Sequence, residues 1–364
     1  MNRFKVLFAY LLFASLVVCQ SVAAKAFEGD VRTMQCPEGA KPVRALQGTD
    51  GEVYVLADSD NGPVCFHSAD YGVSFSNPIR LVDEASIQPG LEFHVWDAAI
   101  GHSGKLFVAL GTNAWKLKLP KDQWGYFLAT VDRDKLQLLS LHNINRRPSE
   151  GFSLAVNQAG DVYACWLADK LYVQVSRDKG LSFGEPIEIG PSINPCNCCT
   201  TVCAFLPTGN LAILYREETN NKRDMYLAEL DLQTSKASKK AVSKTPWVLD
   251  TCPMTYYSLV STSSGMTAAW PTQRTVYLAK LDNAGRLQSP GEVQTIGLAG
   301  MRTGLLTMQN SKDETLVVWN SDNQIGWQVV GKAMQPTSST GSVQTTGKGV
   351  AGFLDADGVF VLLY

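Results

Sequence analysis

The sequence has no concentration of positive charge. No run of Lys or Arg is longer than two residues, and the 364-residue chain has a formal net charge of −2. A surface that binds nucleic acid needs clustered Lys and Arg to neutralise phosphates. The sequence therefore argues against nucleic acid as a partner.

Long apolar runs are also absent after the first two dozen residues, so we expect no lasting transmembrane span. The beginning of the chain, residues 1–24, carries Arg3 and Lys5, then an apolar run over 6–18, then two alanines. This order is typical of a secretory signal peptide, with cleavage before Lys25. The sequence predicts an exported protein, periplasmic or extracellular.

Removal of this segment takes two basic and no acidic residues from the 32 basic and 34 acidic ones, which leaves a net charge of −4. An alternative interpretation takes "LVVC" as a lipid-attachment sequence that anchors the chain at Cys19. Val18 is bulkier than the Gly, Ala or Ser usual before such a cysteine, which favours simple cleavage. Eight cysteines then remain, an even number in an oxidising compartment, and this favours disulfides.

Helical periodicity is almost missing, and short alternating strands take its place. One unit recurs about every fifty residues: an apolar strand, a turn with Gly and Asp, Asn or Ser, and a second strand. Its copies are "VRALQGTDGEVYVLAD" from Val43, "VWDAAIGHSGKLFVAL" from Val95, "FSLAVNQAGDVYACWL" from Phe152, "TVCAFLPTGNLAILYR" from Thr201, "TYYSLVSTSSGMTAAW" from Thr255, "RTGLLTMQNSKDETLVVW" from Arg302 and "GVAGFLDADGVFVLLY" at the C-terminus.

This repeat predicts an all-β fold, a single six- or seven-bladed β-propeller over residues 25–364. The last copy contains only two strands. The stretch "AFEGDVRTM" after the signal is placed to supply an outer strand to that copy, which would close the ring and remove an open sheet edge.

Two stretches carry a sharper motif, Ser-x-Asp-x-Gly-x-Ser-Phe: "SADYGVSF" over 68–75 and "SRDKGLSF" over 176–183. The Asp can accept backbone N–H bonds, the Gly can take a positive φ, and the ring can pack beneath the turn. We place each motif in a hairpin between a third and a fourth strand. These motifs resemble Asp-box (BNR) repeats, and the chain is similar to the sialidase-like propeller superfamily, especially to bacterial exported members with Cys-x-Cys-Cys and Cys-Pro motifs.

The resemblance implies a carboxylate-binding site made of three arginines, because several guanidinium donors on one carboxylate give strong, selective bonds. The strands that match this family's arginine-bearing strands offer Arg44, Arg216 and Arg274. At the first position Ala45-Leu46 replaces the family's Ile-Pro.

The catalytic half of the family's site matches less well. The resemblance places an acid–base Asp in the loop "ADSDNG", where Asp58 or Asp60 can serve, and Asp97 beside His94 and Trp96 is a further candidate. The family's Glu is replaced by "PCNCCTTVC", and the place of its nucleophilic Tyr holds no tyrosine, so the retaining mechanism lacks a nucleophile. Tyr256 and Tyr257 are possible substitutes or packing residues.

Four cysteines crowd one ten-residue stretch, and a fifth follows in "DTCPM". By the resemblance we interpret them as a disulfide brace between blades four and five, drawn from Cys196, Cys198, Cys199, Cys203 and Cys252. A strained vicinal Cys198–Cys199 ring and a copper or zinc site remain alternatives. We predict no resident cofactor or metal.

Three functions compete. The preferred one is an exported sialidase-like propeller that binds an acidic glycan or another carboxylate ligand in its central pocket, without the usual sialidase hydrolysis. The second is an exo-glycosidase with altered catalytic residues, such as Asp60 and Asp97. The third is a scaffold or metal-handling propeller of the cell envelope, centred on the cysteines.

Overall fold

The computed structural model describes residues 25–28, 30–83, 88–102, 104–262, 264–300, 304–321, 323–345, 347 and 349–364. Its elements are β-strands, with short 3-10 turns at Pro37–Gly39 and Lys121–Gln123. Within these ranges no helix is long and apolar enough to cross a membrane. The predicted signal peptide and Cys19 lie outside the described residues.

The strands form seven four-stranded sheets. In chain order they are β1 (Lys25–Glu28), β2 (Val31–Met34), β3 (Lys41–Gln47), β4 (Val53–Ser59), β5 (Gly62–Ser68), β6 (Ile79–Arg80), β7 (Phe93–Ile100), β8 (Lys105–Thr112), β9 (Phe127–Asp132), β10 (Gln137–Asn143), β11 (Glu150–Val156), β12 (Val162–Leu167), β13 (Leu171–Ser176), β14 (Ile187–Glu188), β15 (Val202–Phe205), β16 (Leu211–Arg216), β17 (Met225–Leu230), β18 (Ala237–Ala241), β19 (Ser258–Thr262), β20 (Gly265–Thr272), β21 (Thr275–Leu281), β22 (Val293–Leu298), β23 (Leu305–Gln309), β24 (Thr315–Ser321), β25 (Gln324–Val330), β26 (Pro336–Gln344), β27 (Ala351–Leu354) and β28 (Phe360–Leu363).

Strands β3 to β26 make blades 1 to 6, four consecutive strands to each blade. The seventh blade has the order β1-β2-β28-β27, so both ends of the chain meet in one sheet. The propeller prediction is confirmed, and the blade count is seven. Each repeat copy found in the sequence supplies the first two strands of one blade.

Ring closure uses two N-terminal strands, where the sequence predicted one. β2 pairs in parallel with β28, placing Val31 opposite Phe360 and Met34 opposite Leu363. β1 then adds to the outer side of β2 in the antiparallel sense. The last repeat copy ends after two strands, so two further strands are needed to complete a blade of four.

The core lies between blades. The second strand of a blade is covered on both faces by the neighbouring blades, and every residue of β12 and β16 is buried. The outer strand β26 instead alternates between exposed and half-buried residues. Seven apolar clusters, one for each pair of adjacent blades including blades 7 and 1, close the ring by packing.

The predicted turn hydrogen bonds are present between the third and fourth strands of blades 1 and 3. In blade 1, Asp70 accepts bonds from the backbone N–H (2.9 Å) and Oγ (2.6 Å) of Ser74 and from Ser68 Oγ (2.7 Å). Gly72 has φ of +81°, and a Cβ there would lie 2.2 Å from the ring of Phe353 in blade 7. This turn therefore helps to join the first and last blades.

Candidate functional site

A central cavity of about 660 Å³ lies where the innermost strands of the blades begin. All seven blades contribute to its wall. The lining residues are Lys41, Pro42, Val43, Arg44, Asp58, His94, Val95, Trp96, Asp97, Phe152, Thr200, Thr201, Val202, Tyr256, Tyr257, Gly304, Leu305, Gly347, Gly349 and Val350.

Irregular strand pairing directs the polar side chains at this entrance. The register of β3 shifts between Pro42 and Arg44, and that of β7 shifts between Val95 and Asp97. Each shift adds one residue to the innermost strand. A β-bulge of this kind re-aims the neighbouring side chains and is common beside functional sites. Alternating hydrophobicity in the sequence gave no sign of these bulges.

Arg44 and Asp97 come together across blades 1 and 2. The Arg44 Nε atom lies 3.3 Å from Asp97 Oδ1, and the Leu154 N–H donates to Asp97 Oδ2 at 2.9 Å. Burial raises the pKa of Asp97 above its ordinary value, although the Arg44 charge and the N–H donor oppose the shift. The Arg44 side chain remains 31% exposed, so its guanidinium faces the cavity.

A second acid–base pair joins the same blades. Asp58 at the end of β4 accepts a bond from the Val95 N–H at 2.9 Å, and its other oxygen lies 3.7 Å from Nδ1 of His94. Pairing with Asp58 raises the pKa of His94, against the opposing effect of burial. Lys41 also lines this side of the cavity. Basic and acidic groups therefore lie side by side at the entrance formed by blades 1 and 2.

An aromatic wall lies beside these charges. Trp96 makes an edge-to-face contact with Phe152, with ring centroids 5.3 Å apart, and is stacked near Tyr256 at 6.5 Å. The three rings come from blades 2, 3 and 5. Trp96 thus packs between blades and also lines the cavity.

Arg216 is placed differently from Arg44. Its side chain is 1% exposed and donates to the carbonyls of Pro271 (2.6 Å) and Arg223 (2.5 Å). It also donates to the hydroxyl of Tyr257 at 3.3 Å. Arg216 ends β16, a second strand, and the inner strand separates a second strand from the channel axis.

Arg274 is exposed in the hairpin between β20 and β21, with φ of +70°. Neither Arg216 nor Arg274 lines the central cavity. The structure therefore does not bring the three predicted arginines together, and of the three only Arg44 is at the cavity.

The two predicted catalytic aspartates, Asp60 and Asp97, line different cavities. Asp60 is exposed in the turn between β4 and β5, where it lines a groove of about 480 Å³ beside the central cavity. Asp97 lines the central cavity, and Asp58 lines both. Both candidate tyrosines line the cavity, and Tyr257 is only 4% exposed and is bonded to Arg216.

The predicted disulfide brace is confirmed as Cys198–Cys252, which joins the segment before β15 to the segment before β19. Cys196 Sγ lies 3.3 Å from Cys199 Sγ, 3.7 Å from Cys252 Sγ and 4.0 Å from Cys198 Sγ. The vicinal ring is therefore not formed. Cys203 is buried on β15 in the cluster between blades 3 and 4, apart from this group.

Although the even count of cysteines favoured disulfides, six thiols remain buried and free in this structure: Cys36, Cys65, Cys165, Cys196, Cys199 and Cys203. Most of them pack as small apolar side chains in different inter-blade clusters. The even count could not reveal this, because buried cysteine also serves as an ordinary core residue.

The two thiols beside the disulfide differ in acidity. The hydrogen bond between Cys199 and Cys196 lowers the pKa of the Cys199 thiol, with help from the Arg216 charge and against the effect of burial. The same bond, with burial, raises the pKa of Cys196. Arg223 donates from Nη1 to Cys196 Sγ at 3.0 Å.

No protein-family model matches this chain, and no curated protein matches it. Solved structures with a similar fold include a protein from Lactobacillus plantarum, at 14% identity and a TM-score of 0.55, over 88% of this chain and 90% of that one. A quinonprotein alcohol dehydrogenase-like protein from Bacteroides thetaiotaomicron matches at 13% identity and a TM-score of 0.53, over 84% and 67%.

An α-L-arabinanase from Penicillium chrysogenum, complexed with arabinobiose, matches at 15% identity and a TM-score of 0.48, over 84% of this chain and 93% of that one. That likeness is too weak to support an argument. Together the similarities extend to the propeller fold and not to a family or an activity.

Proposed function

We propose that this protein is an exported propeller that binds an acidic glycan or another small carboxylate ligand in its central cavity, without cleaving it by the usual sialidase route. The observation that carries the proposal is that Arg44 and the three rings of the aromatic wall line the same cavity. Aromatic faces bind the apolar faces of sugar rings, and a guanidinium selects a carboxylate.

The terminal nitrogens of Arg44 support an anionic ligand. The Arg44 Nε atom lies 3.3 Å from Asp97, and no hydrogen bond joins the terminal nitrogens to an acceptor within the described ranges. Those two nitrogens can therefore bind a carboxylate in the bidentate manner. Lys41 and His94 line the same cavity and add positive charge, in the case of His94 below its raised pKa.

The absence of a standard nucleophile supports binding without cleavage. Tyr257 is buried and bonded to Arg216, and the segment before β15 carries cysteines where the resemblance implies a Glu.

A second candidate, an exo-glycosidase with altered residues, is favoured by Asp97 and Asp58. These carboxyl groups line one cavity in different environments, and burial raises the pKa of Asp97, which suits that residue to the role of the acid.

The test is calorimetric titration of the chain from Lys25 with sialic acid, glucuronic acid and glucose. We expect the two acids to bind and glucose not to bind. Arg44→Met should weaken acid binding about tenfold or more, because a hydrogen bond to a charged group contributes about 1.5–3 kcal/mol. Arg274→Met, which removes an exposed arginine away from the cavity, is the matched control.

Equal affinity for glucose and glucuronic acid, or unchanged binding by a folded Arg44→Met variant, would contradict the proposal. Fluorogenic sialosides and glucuronides are assayed beside the titrations. Sugar release that disappears in Asp97→Asn would replace the binding function with the glycosidase candidate.

A further inference from the structure

Four sulfur atoms converge at the interface between blades 4 and 5. Cys196, Cys198 and Cys199 come from the loop before β15, and Cys252 comes from the loop before β19. Four of the five pairs of sulfurs that are not bonded to each other lie 3.3, 3.7, 4.0 and 4.0 Å apart, the fifth pair being Cys198 and Cys199. In a tetrahedral zinc site, with Zn–S of about 2.3 Å, neighbouring sulfurs lie about 3.8 Å apart.

Two buried arginines adjoin this cluster without a carboxylate partner in the described part of the chain. Arg216 is 1% exposed and Arg223 is 9% exposed. The nearby acids Glu217 and Asp224 pair with Lys239 and Lys222. Buried guanidinium groups are costly unless a negative charge compensates them.

The sulfur cluster can supply the negative charge that these two guanidinium groups need. Arg223 donates from Nη1 to Cys196 Sγ at 3.0 Å, and a neutral thiol is only a weak acceptor for a charged donor. The Cys196 N–H donates to the Arg216 carbonyl at 2.8 Å, so Arg216 directly adjoins the cluster. A disulfide brace alone requires neither the two extra sulfurs nor the two guanidinium groups beside them.

We propose that Cys196, Cys198, Cys199 and Cys252 form a tetrathiolate site for a thiophilic divalent cation of the Zn²⁺ class, which is filled when the Cys198–Cys252 disulfide is in its dithiol form. Four thiolates and one divalent cation carry a net charge of −2, which the two guanidinium groups balance. A dithiol reductant supplies two electrons and two protons to open the disulfide and leaves as its own disulfide. Metal binding then releases the thiol protons to solvent.

The site is independent of the central-cavity ligand, so the two proposals can fail separately. The test uses the chain from Lys25, reduced with a phosphine under anaerobic conditions and titrated with Co²⁺. We expect one Co²⁺ per chain, with the absorption bands of tetrahedral cobalt thiolate, and displacement by Zn²⁺. The unreduced protein should not give these bands, because two of its four ligands are bonded to each other.

Cys196→Ser should abolish the tetrathiolate spectrum, whereas Cys65→Ser, which changes a buried thiol of blade 1, should leave it intact. X-ray absorption of the zinc-loaded wild-type protein should show four sulfur neighbours, a measurement that does not depend on any variant folding. The proposal is overturned if the reduced wild type binds no Co²⁺ or Zn²⁺. Binding that survives in Cys196→Ser, or uptake of Cu⁺ alone, would also overturn it.

Discussion

Arg216 shows that a residue's position along a strand does not decide its role. Its donors are bonded to the carbonyls of Pro271 and Arg223, and its guanidinium lies over the ring of Trp247 at 4.8 Å. We expect Arg216→Met to lower the free energy of unfolding by about 3 kcal/mol, because buried carbonyls lose their donors. Urea unfolding at neutral pH measures the change.

Arg274→Met is the control for this prediction and should stay within about 0.5 kcal/mol of wild type, as exposed substitutions usually do. If Arg216→Met were as stable as wild type but no longer bound a carboxylate ligand, the arginine would belong to the ligand site after all.

The sequence could place Arg44 at the cavity because an innermost strand faces the channel axis whichever blade it belongs to. It could not separate Arg216 from Arg44, since both residues lie on strands that match the arginine-bearing strands of the sialidase-like family. Whether an arginine side chain faces the cavity or is buried between two blades depends on the packing of those blades. The repeat pattern of the sequence contains no information about this packing.

At the scale of elements, the turn after β5 should make stability depend on pH. Partial burial raises the pKa of Asp70, but the hydrogen bonds from Ser74 and Ser68 outweigh it, so the pKa is below its ordinary value. A lowered folded-state pKa stabilises the protein above the unfolded-state value of about 3.9, and this stabilisation is lost as the pH falls through the folded-state pKa.

Asp70→Ala should therefore cost about 1–2 kcal/mol at pH 7, and the difference from wild type should shrink as the pH falls below about 4. Unfolding by urea at several pH values measures it. Asp60→Ala, in the exposed turn before β5, is the matched control. A difference that stays constant down to pH 2 would contradict this account.

The inner strands could be predicted because a fifty-residue period of strand–turn–strand units has few other physical solutions. The two-residue fourth strands β6 and β14 could not, since so short a segment has no periodicity of its own. The bulges at Val43 and Trp96 were equally hidden. They determine how the cavity is lined, and so the site was less predictable than the fold.

At the scale of the whole molecule, closure depends on β2. Val31 packs into the cluster between blades 6 and 7, and Met34 packs into the cluster between blades 7 and 1. A chain that begins at Gln35 loses both contacts and exposes the edge of β28, which is a template for pairing with another chain. We expect it to self-associate and to melt at a lower temperature than the chain from Lys25.

Light scattering after size exclusion, together with thermal unfolding, measures both effects. A chain that begins at Asp30 removes β1 alone and should be affected less, because β28 remains covered. If the chain from Gln35 stayed monomeric with an unchanged melting temperature, β2 would not be the closing strand in solution.

The Cys198–Cys252 bond has a topological consequence. Its sequence separation of 54 residues encloses all four strands of blade 4, so that blade is a covalent loop within the ring. Any single proteolytic nick between these cysteines leaves the two fragments tethered. Closing a loop of this length also lowers the conformational entropy of the unfolded chain. In the chain-entropy model this stabilises the folded protein by about 4 kcal/mol. Without the disulfide or a metal ion bound by the same cysteines, such a nick would leave the two fragments held together only by noncovalent packing.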